Sequence, residues 1–451
     1  MHATPCNISL PAFATRAIDV LERAGYETWC VGGCVRDALL GRDVNDYDIA
    51  TNALWPQTKE AFEQAGYRTH ETTGIKHGTL TVIVDEQALE VTTYRSDGKY
   101  SDARHPDSVQ FVRTIEEDLA RRDFTMNALA YHPKRGLLDC HGGLADIEAG
   151  VIRVVGDGNE RFAEDALRIL RACRFASQLG FTIEPATFQA MMANKVKMGY
   201  VSPERITAEL QAFLLGPFIH DALLESVDVL AAILPELVAC KGFDQNTPYH
   251  IYDVLEHTAY VIANTDCQPL VRWAALLHDL GKPGACFREG DVCHFYGHAN
   301  LSVFLAKGIL DRLCLSPSFK DDVITLVRIH DDKIQPTSRS VKRALARLDG
   351  RVDLFRALCN LKKADAQAQA PLCAPRIELA RQLEEVLDEI LASDEAFTLK
   401  KLAVNGNDVL AAGIAAGPRV GEILGEALDA VIDETVPNDR DALLAFIREH
   451  A

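Results

Sequence analysis

At 451 residues and 48% hydrophobic content, the chain is too long for one core and carries apolar material for about two to four domains. No apolar run reaches the length of a bilayer span, and MHATPCNISL leads into an amphipathic stretch rather than a secretory leader, so the expected compartment is the cytoplasm. The net charge of -18 argues against indiscriminate nucleic-acid binding, and the twelve cysteines form no C-x-x-C pair, which leaves a zinc ribbon or dithiol motif without support and fits reduced thiols.

In chain order, a helix is predicted near Phe13 to Ala24, followed by the strand-like runs TWCVGG, DYDIAT, TLTVIV, ALEVTTYR and LLDCHGG. Residues 1–150 therefore read as a head built on a short mixed sheet with helices. Within it, CVGGCVRDALLGRDVNDYDIAT sets Gly32, Gly33 and Arg36 shortly before Asp46 and Asp48. On a strand, residues two apart share a face, so the two carboxylates would point together and repel unless a cation lies between them. Hard divalent ions such as magnesium suit that pair, with Glu90 in LEVTTYR as a third carboxylate from a neighbouring strand. Glycine lets backbone approach a phosphate and arginine clamps one; an ordinary turn and a solvated D-x-D are the bland readings of the same residues. The polar segment YRSDGKYSDARHPDSVQFV reads as a mobile loop.

From Asn159 the pattern becomes helical. RFAEDALRILRACRFASQLG ends on a glycine stop and opens a helical neck over 151–244. Asp165, Arg168, Arg171 and Arg174 recur every three residues, predicting one slowly drifting helix face; a surface helix with salt pairs would show the same spacing. Strand signals all but vanish from here on. The polar turn KGFDQNTPY precedes a histidine-rich segment, 245–370, and a helical tail, 371–451, carries LAVNGNDVLAAGIAAGPRVGEIL with Gly-rich turns between short helices.

GGCVRDALLGRDVNDYDIAT, RRDFTMNALAY (Arg121 to Tyr131) and EDALRILRACRF (Glu164 to Phe175), in that order, resemble the signature of the bacterial tRNA nucleotidyltransferase (CCA-adding) and poly(A) polymerase superfamily. The resemblance implies an α+β nucleotidyltransferase head followed by all-helical neck, HD and tail domains. It implies a catalytic triad of Asp46, Asp48 and Glu90 with Mg2+, and a nucleotide site of Gly32, Gly33, Arg36, Arg122, Asp123 and Asn127. In such enzymes Asp165 and Arg168 would pair with the edge of the incoming CTP or ATP base, with Arg171 and Arg174 facing phosphates. Donor and acceptor chemistry agrees: Arg neutralises a triphosphate, while Asp and Asn bond ribose hydroxyls. The loop is implied to aid the change from C to A addition.

Further along, His257, His278-Asp279, His298, His330 and Asp365 resemble the HD phosphohydrolase superfamily, whose imidazole and carboxylate donors suit a divalent transition metal. A single helical histidine is more often a core residue, and His294 competes with His298 for the third position. The metal could be structural, or could serve hydrolysis of 2′,3′-cyclic phosphates or phosphomonoesters. The expected activity is addition of CCA to the 3′ end of tRNA. The rivals are a poly(A) polymerase, a CC- or A-adding enzyme, and an HD phosphohydrolase with an RNA-binding head.

Overall fold

The computed structural model describes residues 8–44, 46–71, 74–75, 78–97, 109–393 and 395–450. The chain divides into two compact units, Met1–Phe218 with Glu225–Ile233, and Ile219–Leu224 with Leu234–Ala451. Among the described residues no helix is long and apolar enough to cross a membrane.

The first unit opens with helix α1 (Ala12–Arg23), which buries Ala14, Ala17, Ile18 and Leu21, one face of a 3.6-residue repeat. The strands that follow are β1 (Thr28–Val31), β2 (Asp48–Thr51), β3 (Arg68–His70), β4 (Thr79–Val84), β5 (Gln87–Thr93), β6 (Arg95–Asp97), β7 (Val109–Phe111), β8 (Leu129–His132) and β9 (Gly136–Asp139). Seven of them form one sheet in the order β3-β4-β5-β2-β1-β8-β9. Only β2 and β5 run parallel, so the sheet is mixed, as expected. One face is sealed by Trp29, Val31, Ala50, Tyr94, Ile115, Leu119, Ala130 and Leu138. Strands β6 and β7 pair at the base of the expected mobile loop, whose residues 98–108 lie outside the described residues.

Helix α2 (Gly33–Leu39) starts directly after β1, with Gly32 at φ 79° and ψ -134°, a conformation open in practice only to glycine. After it come α3 (Trp55–Gln64), α4 (Ile115–Ala120), α5 (Gly143–Ala149), α6 (Gly158–Glu164) and α7 (Leu167–Leu179). Gly180, left-handed at φ 71°, ends α7 where the sequence predicts a stop.

Three expectations need correction. The predicted long helix after Asn159 breaks at Asp165, whose φ of -141° is extended; its carboxylate takes the Leu167 N–H at 3.0 Å and starts α7. Asp165 therefore does not share a helix face with Arg168, Arg171 and Arg174. Asp46 precedes β2, which begins at Asp48, so the two acids do not share a strand. Strands also continue beyond residue 159: Val151–Ile152 pairs with Thr182–Ile183, and Phe287–Glu289 forms a hairpin with Val292–His294.

The second unit is otherwise helical. Its C-terminal part buries Val409, Ile423, Ala427, Ile432, Leu443 and Ile447 together. There the predicted tail helices appear as Gly406–Ala411 and Pro418–Ile432, with Asn405 capping the first.

Candidate active site and metal cluster

The parallel pairing of β2 with β5 puts Asp48 in register with Glu90. Two carboxylates thus come side by side at a strand end, and Asp46 lies two residues upstream. Among the described residues none of the three makes a side-chain hydrogen bond or ion pair. The Asp48 carboxyl is held above the ordinary range, first by desolvation, then by the charges of Glu90 and Asp46, with Arg122 opposing. Crowded, unpaired acids of this kind are the donor set a hard divalent cation satisfies.

The glycine turn abuts this edge. A Cβ on Gly32 would lie 2.7 Å from Arg122 Nη1, so the missing side chain makes room for that guanidinium. Arg122 in turn donates to Asp118 at 3.2 Å, a buried acid that Arg121 also grips at 2.8 Å. Arg36 chelates Asp37 through Nε and Nη2, at 3.0 and 2.9 Å, and donates from Nη1 to Asn127 Oδ1 at 2.6 Å. Asn127 donates to Asp123 at 3.1 Å, and Asp123 also accepts from the Phe124 amide at 2.8 Å and from Arg171 Nε at 2.8 Å. Burial pushes the Asp123 carboxyl up, but Arg171, Asn127 and the amide more than reverse this and hold it at about 2.

The predicted nucleotide residues Arg36, Asn127, Asp123 and Arg171 are thereby one hydrogen-bonded chain drawn from α2, the turn Thr125–Asn127 and α7. Asp165 accepts from Arg205 at 2.8 Å, and Arg168 donates to Glu164 at 2.7 Å and to two backbone carbonyls. Arg174 is tied to Glu209 at 2.6 Å, so Arg171 and Arg174 meet carboxylates here rather than standing free for phosphate.

Residues that sequence reasoning passed over hold this assembly. Arg205 and Glu209, from the helix Pro203–Leu214, lie in no quoted motif. Phe175 closes the motif EDALRILRACRF, where its spacing alone gives it no role. Its ring lies 4.9 Å from the Arg36 guanidinium, 5.5 Å from Arg171 and 4.2 Å from Arg174. The spacing of an aromatic one residue after Arg174 was the only available signal.

In the second unit, six predicted ligands converge: His257 on Val254–Asn264, His278 and Asp279 at the end of Pro269–Leu277, His298 at the start of His298–Arg312, His330 ending Pro317–Ile329, and Asp365 on Val352–Gln367. His294 lies instead on the hairpin, 3.6 Å from Glu289. Each of the four rings contacts a backbone carbonyl through Nδ1: Ala368 O for His257, Ala275 O for His278, Phe295 O for His298 and Val327 O for His330, at 2.7 to 3.2 Å. That arrangement fixes ring orientation and turns Nε2 inward, as metal-binding imidazoles require. Burial lowers His257, but Asp279 and Asp365 raise it to about 9, while Asp279 itself is held well below the carboxylate range. Buried His330 falls to about 4. The cluster opens into a cavity of about 310 Å³ lined also by Tyr249, His250, Lys282, Tyr296 and Arg376. Lys282 and Arg376 were not among the predicted residues.

A mixed sheet that presents paired acids beside a Gly-Gly-Arg turn defines a nucleotidyltransferase head, and the profile of the poly A polymerase head domain matches residues 28–153. The profile of tRNA nucleotidyltransferase domain 2 matches residues 306–447. The chain is 35% identical to the CCA-adding enzyme of Geobacillus kaustophilus over 431 residues, 95% of this chain and 94% of that one. It is 33% identical to the enzyme of Lactobacillus johnsonii over 447 residues, 97% and 98% of the two chains. The chain belongs to the family of CCA-adding enzymes. Among solved structures it is similar to the Bacillus stearothermophilus CCA-adding enzyme in complex with CTP, with a TM-score of 0.74 and 31% identity over 97% of this chain and 96% of that one. The fold is shared with the Thermotoga maritima CCA-adding enzyme complexed with tRNA, at a TM-score of 0.56, 20% identity, and coverage of 97% and 95%.

Proposed function

We propose that this nucleotidyltransferase adds C, C and A to the 3′ end of tRNA from CTP and ATP without a nucleic-acid template, releasing pyrophosphate. The observation that carries the reading is the register of Asp48 against Glu90 beside the Gly32 turn, in a chain that matches CCA-adding relatives almost end to end. Asp46, Asp48 and Glu90 would hold two Mg2+, which when bound lower the barrier for attack by the tRNA 3′-hydroxyl and steady the charge on the triphosphate. Gly32 and Gly33 leave backbone exposed to phosphate, and Arg36 and Arg122 supply positive charge there. Asp123 and Asn127 offer acceptor and donor groups to the ribose. Asp165 and Arg168 present one acceptor and one donor to a base edge, chemistry that selects cytosine and adenine. Their present partners, Arg205 and Glu164, must release them when a nucleotide enters. Arg171 and Arg174 likewise exchange carboxylate for phosphate.

The functional divisions follow the sequence: head 1–150, neck 151–244, HD segment 245–370 and RNA-binding tail 371–451, working in the cytoplasm. In an acidic chain the tRNA must meet local basic surface, so its binding weakens as salt rises. The buried histidine-aspartate cluster supports a second reading alongside the first, a metal-dependent phosphohydrolase site.

The test is product length on a tRNA lacking its 3′ end, given CTP, ATP or both. Growth that stops at CCA supports the proposal. Long A tracts would identify a poly(A) polymerase, and a stop at CC a restricted enzyme. Asp48→Ala should abolish incorporation with tRNA binding retained, and turnover persisting in that variant would remove Asp48 from the chemistry.

A further inference from the structure

The glycine turn of the head is flanked by two thiols that the nucleotide site leaves unused. Cys30 lies on β1 and Cys34 in the first turn of α2, with Val31, Gly32 and Gly33 between them. Both are free and buried, Cys30 completely and Cys34 with 4% of its surface open, and their sulfurs stand 3.2 Å apart. A disulfide bond is about 2.0 Å long, so oxidation requires the sulfurs to approach by only about 1 Å. Cys34 is also tied to the acid edge. Its Sγ donates to the Val31 carbonyl at 3.2 Å and accepts from the backbone N–H of Asp48. Val31 and Asp48 are register partners at the end of the β1–β2 pairing, and Asp48 is the residue set against Glu90. One sulfur thus joins the thiol pair to the strand end that carries the acids.

From these contacts we propose that Cys30 and Cys34 form a reversible disulfide under hydrogen peroxide, and that the bond slows nucleotide transfer by releasing the Asp48 backbone. The slowing rests on the reading of Asp48 as a catalytic carboxylate, whereas formation of the bond does not. Burial selects a small oxidant, and the sulfur with open surface, Cys34, meets it first. The Cys34 sulfur attacks one peroxide oxygen, the O–O bond breaks, and hydroxide leaves with the thiol proton as water, giving a sulfenic acid. The Cys30 sulfur then displaces that hydroxyl, which takes the Cys30 proton and departs as a second water. Each thiol sulfur gives up one electron, and peroxide takes both. Exchange with dithiothreitol restores the two thiols.

The effect on Asp48 follows from the same geometry. A disulfide sulfur has no S–H, so the bond to the Val31 carbonyl is lost, and Cys34 is drawn toward Cys30 and away from the Asp48 amide. The first residue of β2 then loses a partner that fixes where its carboxylate stands beside Glu90. The cross-link also encloses Gly32 and Gly33, the turn whose backbone is free to approach a phosphate. Cys30 and Cys34 act here through Asp48 and the turn, as positioning residues.

The test treats the full chain with hydrogen peroxide, blocks remaining thiols with iodoacetamide, and weighs the peptide that contains both cysteines. It should lose the mass of two hydrogens and take up no label. Incorporation of CMP into tRNA should fall by about fivefold or more in kcat, with tRNA binding retained, and should return with dithiothreitol. Cys30→Ala leaves Cys34 without a partner, so its sulfenic acid should be trapped by dimedone. Cys34→Ala, compared with its own untreated activity, should be insensitive to peroxide. Cys286→Ala removes the thiol 2.9 Å from Cys293 in the second unit and should respond as the parent does. A parent peptide in which both thiols still take label overturns the bond, whether or not the variants fold. A disulfide formed with incorporation unchanged, or a loss that persists in Cys34→Ala, overturns the link to Asp48. A reduced parent that incorporates nothing overturns the reading of Asp48 and the slowing with it, while the peptide mass still decides the bond.

Discussion

Replacing Arg171 by methionine removes the one formal charge paired with Asp123 and keeps a chain of similar length in place. Asp123 is 8% exposed, and its carboxyl sits at about 2 because Arg171, Asn127 and the Phe124 amide outweigh the burial that would raise it. The fall from an ordinary value near ~3.9 corresponds to roughly 2–3 kcal/mol favouring the charged form at neutral pH. Loss of a partner from a buried pair costs up to about 3–5 kcal/mol, so the expected destabilisation is about 2–4 kcal/mol, tempered by the two donors that remain. The folded-state value is depressed, so this contribution is fully present above about pH 4 and is lost as pH falls through about 2. The gap between parent and variant should therefore be widest near pH 7 and narrow on acidification. With two compact units, a single unfolding midpoint is a poor measure. Hydrogen exchange of peptides covering 122–132 and 167–179 is preferable, and exchange there should quicken by about 30- to 1000-fold. Adding Asp123→Asn removes the stranded charge and should restore most of the protection. Unchanged exchange in Arg171→Met, or a double variant no better than the single one, would refute the account of this pair.

Gly32→Ala should cost about 1–3 kcal/mol in backbone strain at its positive φ. It should also push Arg122 away from the Gly32 turn; if Arg122 serves nucleotide binding as proposed, the KM for CTP rises in steady-state kinetics. Phe175→Leu removes three guanidinium-ring contacts of about 0.5–1 kcal/mol each, so nucleotide affinity by calorimetry should fall by up to about 10- to 150-fold, with Phe175→Tyr close to the parent. Binding unaffected by Phe175→Leu would leave the ring as mere packing.

The chemistry-bearing stretches were legible because local rules write them. The alternation in TLTVIV and ALEVTTYR marks β4 and β5, and the predicted Asp48–Glu90 neighbourhood follows from the pairing of β5 with β2. Gly180 announces the end of α7 in the sequence. The break at Asp165 was not legible, because a capping aspartate inside a helical repeat looks like one more polar position until its carboxylate is seen on the Leu167 amide. Strand β8 hides in RRDFTMNALAY, whose short apolar run LAY is buried on both faces and lacks alternation. Glu209 and Arg205 were out of reach for a different reason. They act across 35 and 40 residues of chain, and one sequence carries no record of such distances. The six HD-type ligands are readable one by one, but their convergence from five separate helical segments depends on packing alone.

Phe175 also bears on how a family of such chains can diverge. Its ring touches arginines from α2 and from two positions of α7, so a change there disturbs three sites at once. Each arginine could change singly, losing its own hydrogen bonds and one contact with the ring. The ring could not, because any aliphatic replacement is felt by all three in the same generation. A change at the ring is therefore read out at three charged positions at once, so the least polar member of the site couples its most polar ones.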